Sequence, residues 1–220
     1  IMTTTSQNAT QVIALFGGTF DPIHLGHILP AQEAAHWLDV EQLQLIPAHI
    51  PPHKSATHAN AEQRTDMVSL VCDSHNIFSL DTRELHRESQ SYTVDTLREI
   101  KTEQPNAQLY FIMGMDSLLA FTKWHAWQDI LSLCNLVVNI RPGYPHLKLE
   151  QALARELSSR LVYDLKQLQR QQSGQIIIHE SSPHNISSTK IRAKIKAGQD
   201  YHQYLAESVY QYIEQHQLYR

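Results

Sequence analysis

Short apolar runs alternate with helical patterns along most of this 220-residue chain, and this alternation limits the folds open to it. Strand-like runs are predicted at residues 11–16, 42–46, 77–80, 108–113, 136–140 and 174–179, with helical spacings between most of them. Strands that are joined through helices form right-handed crossovers and a parallel sheet. The pattern therefore predicts an α/β fold, in which an open parallel sheet carries helices on both faces.

The predicted helices cover residues 25–38, a segment opening at the Asn60–Gln63 capping box, 93–102, most of 147–172, 188–197 and 203–215. Met67, Leu70 and Val71 are expected on the inner face of the second of these helices. We expect residues 1–220 to form a single Rossmann-like domain, with a small C-terminal helical part from about residue 186. In such sheets, ligands bind beyond the carboxyl ends of the strands.

Composition excludes several classes of protein. Hydrophobic residues make up 42% of the chain and charged residues 18%, which is typical of a globular protein. The apolar runs are far shorter than the ~20 residues of a membrane span, and residues 1–10 do not resemble a secretory signal. The net charge of -4 argues against a nucleic-acid partner. Cys72 and Cys134 have no metal-site or disulfide spacing, so we expect a cytoplasmic location.

The segment GGTFDPIHLGH, residues 17–27, follows the first strand and carries the strongest functional signal. Gly17 and Gly18 permit positive φ and a close approach of N–H groups to an anion, although a tight strand-to-helix turn would use the same residues. His24 and His27 share one face of the predicted helix start, and Gly26 between them is expected to leave room for a ligand. A helix N-terminus favours anions, so the segment predicts a phosphate site.

A zinc site and a core position are the alternative interpretations of the two histidines. A zinc site needs three or four ligands, and no carboxylate or cysteine stands at ligand spacing in this segment. Core histidines are the ordinary explanation for scattered imidazoles, but these two lie beside glycines at a loop-to-helix junction. The phosphate interpretation is therefore favoured.

GGTFDPIHLGH resembles the signature of the H-x-G-H nucleotidylyltransferases, and ISSTKIR, residues 186–192, resembles their second signature. PPHK (51–54), SYTVDTL (91–97), GMDSL (114–118), the Trp124 region, RPGYP (141–145) and the final LYR are similar to the bacterial nicotinate-nucleotide adenylyltransferase family. The resemblance covers nearly the whole chain. It implies transfer of AMP from ATP to nicotinate mononucleotide, giving deamido-NAD and pyrophosphate by direct in-line attack.

The resemblance also implies roles for particular residues. His24, His27 and Arg192 would be catalytic and would contact the ATP phosphates. The expected ATP-binding set is Gly17, Gly18, Thr19, Phe20, His24, His27, Gly114, Asp116, Arg141, Ile186, Ser188, Thr189 and Arg192. Plain N-capping by Ser187, Ser188 and Thr189 is an alternative that is compatible with this role.

The expected mononucleotide-binding set is Lys54, Thr93, Asp116, Trp124 and His125. Lys54 would reach a phosphate, although a solvated lysine is the alternative. Trp124 would stack on the nicotinate ring, although a core tryptophan is the alternative. Thr93 would lie near the nicotinate carboxylate at a helix start, and the role of His125 stays open.

Mg²⁺ is expected with ATP, held mainly by phosphate oxygens and water, so we assign no protein ligand to it. The expected partners are ATP and nicotinate mononucleotide, with no nucleic acid and no membrane; a homo-oligomer is possible. Three rival hypotheses were considered: a related transferase with another phosphorylated acceptor, a nucleotide-binding sensor without turnover, and a nucleic-acid-binding module.

Overall fold

The computed structural model describes residues 11–49, 57–87, 90–170, 172–182 and 184–220. Its seven strands are β1 (Val12–Gly18), β2 (Leu43–Pro47), β3 (Phe78–Leu80), β4 (Gln108–Gly114), β5 (Asn135–Ile140), β6 (Leu161–Val162) and β7 (Ile176–Glu180). The described α-helices are α1 (Leu25–Trp37), α2 (Ala61–Ser74), α3 (Thr93–Glu103), α4 (Met115–Leu119), α5 (Trp127–Leu133), α6 (His146–Ala152), α7 (Arg155–Ser158), α8 (Ser188–Lys196) and α9 (Glu207–Gln215).

All strand pairings in the described sheet are parallel, in the order β3-β2-β1-β4-β5-β7-β6. The order reverses direction beside β1, where the chain passes from β3 on one side to β4 on the other. The ligand crevice of an open α/β sheet lies outside the carboxyl ends of the strands at such a reversal. The topology therefore predicts a ligand site at the segments that follow β1 and β4.

Side chains alternate between the two faces of the sheet and build a core on each. On β5, Val137 belongs to the core packed against α1, α2, α8 and α9, while Leu136 and Val138 belong to the core packed against α3 and α5. This period-two alternation is what a sheet covered on both faces requires. The predicted α/β fold with a Rossmann-like parallel sheet is confirmed.

Several predicted elements differ from the structure. Residues 147–172 are not mostly helical: they hold two short helices, α6 and α7, the strand β6 and a single 3₁₀ turn. Helices α4 and α5 were not predicted, because they are too short to show a clear apolar period. The last predicted helix, 203–215, begins only at Glu207, since a 3₁₀ turn occupies His202–Tyr204. On α2, Leu70 is half-buried, whereas Val68 is fully buried.

The C-terminal helices share a core with the sheet. Ile191 and Ile195 of α8 and Val209 and Ile213 of α9 lie in the same buried cluster as Ala14 of β1. A separate domain would have its own hydrophobic core. The buried residues of α8 and α9 belong instead to the core of the sheet. We therefore propose one domain, with its C-terminal helical part from about residue 186 as a layer of that domain.

Candidate active site

The end of β1 brings the backbone close to an aromatic ring. Gly17 and Gly18 are the last residues of β1 and do not have positive φ; the positive φ falls on Phe20, at 50°. A Cβ on Gly18 would lie 2.7 Å from the ring of Phe20, which is 2% exposed. The expectation of positive φ at the glycines is therefore wrong. Gly18 is needed because the Phe20 ring occupies the space of a side chain.

The imidazoles of His24 and His27 stack face to face at the start of α1. Their ring centroids lie 3.7 Å apart at an interplanar angle of 23°. The main-chain N–H of His24 donates to Nδ1 of His27 at 3.3 Å, and the Phe20 ring meets His27 edge-on with centroids 5.3 Å apart. The predicted shared face of the two histidines is thus present, and it lies at a helix N-terminus.

His24 is buried, with 3% of its surface exposed, and burial lowers the pKa of its imidazole to about 4. The ring is therefore neutral near pH 7 in the free protein. A neutral imidazole still offers one N–H donor to a phosphate oxygen. The charge of this site must then come from elsewhere.

Gly26 does not leave room for a ligand as the sequence predicted. A Cβ at this position would lie 3.1 Å from the imidazole of His24 and 3.2 Å from the Cβ of Ile186. The space is filled by one residue from each of the two signature segments. The absence of a side chain at Gly26 thus lets both the His24 ring and Ile186 lie close to the α1 backbone.

The second signature segment joins the first through hydrogen bonds as well. Nη1 of Arg192 donates to the main-chain carbonyl of Asp21 at 2.7 Å, and the Ser188 hydroxyl donates to the carbonyl of Pro22 at 3.0 Å. Ser187 caps α8 by accepting from the N–H of Lys190 at 3.2 Å. The capping interpretation therefore holds for Ser187, while Ser188 binds the first segment. Two anion-favouring helix starts and one guanidinium meet here.

Asp21 is the buried carboxylate at this junction. It accepts from the N–H groups of His58 and Ala59 at 2.9 and 3.0 Å, and it lies 4.0 Å from Nη1 of Arg192. Burial raises the pKa of this carboxyl, but the two N–H donors, the Tyr219 hydroxyl and the Arg192 charge outweigh it, so the pKa lies below its ordinary value. Asp21 is therefore ionised near pH 7.

A cavity of about 520 Å³ opens beside the glycines of β1. It brings Gly17, Gly18 and Thr19 from the predicted ATP set together with three residues of the predicted mononucleotide set, Thr93, Trp124 and His125. Thr93 is the first residue of α3, so the cavity also receives a helix start. A carboxylate is favoured at such a position.

Trp124 is one of the residues that line this cavity. Its ring is half-buried and lies against Phe111 and Phe121, with centroids 6.1 and 5.5 Å away. Trp124 thus fits both the core interpretation and the ring-stacking interpretation, since it packs on the core and also lines the cavity. The exposed ring of His125 lies 4.5 Å from the ring of Tyr92, which lines the same cavity.

The other predicted residues lie at the same edge of the sheet or outside the described residues. Gly114 ends β4 beside Asn139 of β5, and Asp116 is exposed in the first turn of α4. Arg141 is exposed directly after β5. Thr189 is exposed on the first turn of α8 and receives a 3.4 Å hydrogen bond from Arg192. Lys54 lies outside the described residues.

Two buried charged residues of this region were missed by sequence reasoning. Glu84 lines the cavity, accepts a 2.6 Å hydrogen bond from the Thr96 hydroxyl, and is 7% exposed. Burial raises the pKa of Glu84, against the lowering effects of Thr96 and Arg87. Arg64 is fully buried behind the β1 loop. Arg64 could have been noticed in the sequence, because it is a charged residue on the apolar face of a predicted helix.

A second cavity, of about 790 Å³, lies at the opposite edge of the sheet. It is lined by residues at the amino ends of β4 and β5, including Gln108 and Asn135, and by none of the predicted site residues. Within the described ranges, no group of three or more His, Cys, Asp or Glu side chains is placed to hold a metal ion. The helices described here are also too short or too polar to cross a membrane.

Comparison with known proteins relates this geometry to a family. The cytidylyltransferase-like family model matches residues 15–194. A Psychromonas ingrahamii protein named "probable nicotinate-nucleotide adenylyltransferase" is 42% identical over 210 residues, which cover 96% of this chain and 98% of that protein. A Serratia proteamaculans protein of the same name is 43% identical over 220 residues, covering 100% of both.

Solved structures show the same fold. Plasmodium falciparum nicotinic acid mononucleotide adenylyltransferase, in structures complexed with APC and with NaAD, superposes with a TM-score of 0.69. The identities are 16% and 17%, and the superpositions cover 95% of this chain and 97% of the other. At this identity the likeness concerns the arrangement of strands and helices.

Proposed function

The chain belongs to the nicotinate-nucleotide adenylyltransferase family, and from this membership we propose that it transfers AMP from ATP to nicotinate mononucleotide. The products are deamido-NAD and pyrophosphate. The observation that carries the assignment of the site is the meeting of the two signature segments, where Arg192 binds the carbonyl of Asp21 at 2.7 Å. This contact supports a site in which two imidazoles, two helix starts and one guanidinium surround the triphosphate.

The reaction is a direct displacement at phosphorus. A phosphate oxygen of the mononucleotide attacks the α-phosphorus of ATP, and the bond from that phosphorus to the bridging oxygen of pyrophosphate breaks. Negative charge grows on the departing pyrophosphate and on the oxygens around phosphorus. Catalysis of such a step rests on positioning and charge stabilisation.

His24, His27 and Arg192 stabilise that charge. The neutral His24 ring offers an N–H donor, and its stacking on His27 holds both rings on one face of the α1 start. Arg192 supplies positive charge from α8. Oxyanion donors of this kind are worth about 2.7–4 kcal/mol each in the transition state.

The 520 Å³ cavity binds the mononucleotide. The nicotinate ring stacks on Trp124, and its carboxylate faces the start of α3 at Thr93. N–H groups at a helix start favour a carboxylate over an amide, whose NH₂ would face them as a second donor. The acid is therefore the preferred acceptor.

Mg²⁺ would accompany ATP, held mainly by phosphate oxygens and water. Such a bound ion needs no protein cage and neutralises part of the triphosphate charge. A homo-oligomer and a cytoplasmic location stay predictions; both cysteines of the described chain are free thiols.

Pyrophosphate release with different acceptors tests the proposed function. The purified protein is given MgATP with nicotinate mononucleotide, nicotinamide mononucleotide or phosphopantetheine. We expect turnover with nicotinate mononucleotide and a much lower kcat/KM with the amide. Turnover with phosphopantetheine and none with either mononucleotide would contradict the proposal.

A further inference from the structure

Arg64 is a charged residue in an apolar position. It lies on the inner face of α2 with Met67, Val68 and Val71, and its exposed fraction is 0%. An isolated guanidinium in the interior is unfavourable unless its donors and charge are compensated. The contacts of Arg64 with its neighbours therefore indicate its role.

Three main-chain carbonyls accept from the Nη1 and Nη2 atoms of Arg64, while its buried Nε has no hydrogen-bond partner. Nη1 donates to the carbonyls of Thr19 and Ala48, each at 2.7 Å, and Nη2 donates to the carbonyl of His49 at 3.1 Å. Thr19 belongs to the segment after β1, whereas Ala48 and His49 follow β2. The strand ends are already paired, since the Ala48 N–H donates to the Gly18 carbonyl at 3.0 Å. The rigid, planar guanidinium adds a second link, which also holds the carbonyls of Thr19 and His49 beyond that pair.

Those two strand ends form walls of the reaction site. Thr19 follows the glycines of the phosphate segment, and both Thr19 and Ala48 line the 520 Å³ cavity with Trp124. Arg64 is not among the residues that line this cavity, so it stands behind the walls. Any effect on the reaction must therefore pass through the positions of Thr19 and Ala48.

A second contact also joins the start of α2 to the β1 segment, this time through a side chain of the β1 segment. The Asp21 carboxylate, from the β1 segment, accepts from the N–H groups of His58 and Ala59, which precede α2. Asp21 also supplies negative charge: burial lowers the pKa of Arg64, and the Asp21 charge opposes that lowering. The start of α2 and the β1 segment are therefore joined by two side chains, Arg64 from α2 and Asp21 from the β1 segment.

Folding stability alone does not explain this arrangement. Replacing buried charges by apolar side chains of similar volume is often neutral or stabilising, so a buried guanidinium is weak support for a purely stabilising role. What an apolar side chain could not provide is simultaneous bonds to carbonyls of two different loops. The geometry that is fixed is the position of the Thr19, Ala48 and His49 carbonyls relative to one another.

We propose that Arg64 is a positioning residue, which sets the separation between the Thr19 and Ala48 walls so that the acceptor phosphate meets the α-phosphorus in line. This inference rests on the proposed function. In-line reaction depends steeply on the approach of the two reacting atoms, and small misplacements lower the rate strongly. Each Kd should change less, because Arg64 is not among the residues that line the cavity and contacts neither substrate site directly.

The test compares Arg64→Lys and Arg64→Met with wild-type protein. Lys keeps the charge but lacks the planar fork, and Met keeps much of the volume without charge. Arg160→Lys is the control, because Arg160 also donates to two main-chain carbonyls, those of Glu156 and Gly174. Arg160 directly precedes β6, at the far edge of the sheet from the cavity. We measure kcat, the free energy of unfolding, and the Kd of a non-hydrolysable ATP analogue and of nicotinate mononucleotide separately.

We expect Arg64→Lys to lower kcat about tenfold or more while each Kd changes by less than about threefold, and Arg64→Met to lower kcat further. Arg160→Lys should leave kcat unchanged. A kcat within about twofold of wild type in Arg64→Lys would overturn the inference, as would equal losses in kcat and in both binding constants. If the wild-type protein itself releases no pyrophosphate with nicotinate mononucleotide, the proposed function fails and this inference fails with it.

Discussion

The guanidinium of Arg192 donates a 2.7 Å hydrogen bond to the main-chain carbonyl of Asp21, although the two residues are 171 positions apart in the chain. The same guanidinium lies 4.0 Å from the Asp21 carboxylate. The contact orients a positive charge toward the loop that leads into His24 and His27. It links the two signature segments, for which we propose phosphate binding.

Removal of the His24 imidazole should impair chemistry more than folding. We expect His24→Ala to lower kcat by about 10²-fold, because one N–H donor to the developing charge is lost. The control is His36→Ala, which changes an exposed histidine on the same helix. Steady-state kinetics that show equal kcat for both variants would remove the phosphate role from His24.

The pH dependence of folding should report the buried state of His24. Burial lowers its pKa from an ordinary 6.5 to about 4, so between these pH values the unfolded state binds more protons than the folded state. The free energy of unfolding should therefore fall as the pH falls through this window, by roughly 3 kcal/mol from this group.

Chemical denaturation at several pH values measures that contribution. Wild-type protein should lose stability more steeply than His24→Ala between about pH 6.5 and pH 4, since the variant lacks the group. Other titrating residues affect both proteins alike. Parallel curves for the two proteins would show that the imidazole is not buried in neutral form.

Gly26→Ala should disturb the site without unfolding α1. The new Cβ would lie 3.1 Å from the His24 ring and 3.2 Å from the Cβ of Ile186, so one of them must move. Alanine otherwise favours a helix by up to about 1 kcal/mol over glycine. We expect a lower kcat with a melting temperature near that of wild type. A fully active variant would show that neither contact matters for catalysis.

Trp124→Ala should raise the KM for nicotinate mononucleotide while leaving the KM for ATP nearly unchanged, because the stacking platform of the cavity is removed. Trp127→Ala is the matched control: its ring also packs against Phe121, with centroids 6.1 Å apart, but it does not line the cavity. If both variants raise the KM equally, the core interpretation of Trp124 is the correct one.

Local patterns in the sequence predicted the sheet and the α1 start well. The β5 run and the Asn60–Gln63 capping box depend on neighbouring residues alone, and both occur, with Gln63 N–H donating to Asn60 Oδ1 at 2.8 Å. The short helices α4 and α5 could not be predicted, because their few residues are fixed by packing against the sheet rather than by their own periodicity.

Contacts between distant segments were predictable only in part. The family resemblance brought His24 and Arg192 into one site, but the closure of Ile186 over Gly26 depends on tertiary distances that no local pattern contains. Arg64 stood at the right helical spacing to be noticed as an odd residue among Met67 and Val71. Its three carbonyl acceptors come from two loops, and sequence spacing carries no information about them.

A crystal structure with a non-hydrolysable ATP analogue tests the central claim most directly. The account predicts that nitrogen atoms of His24, His27 and Arg192 lie within about 3.2 Å of triphosphate oxygens. A triphosphate bound elsewhere, for example in the cavity at the amino ends of β4 and β5, with those three side chains turned away from it, would contradict the account.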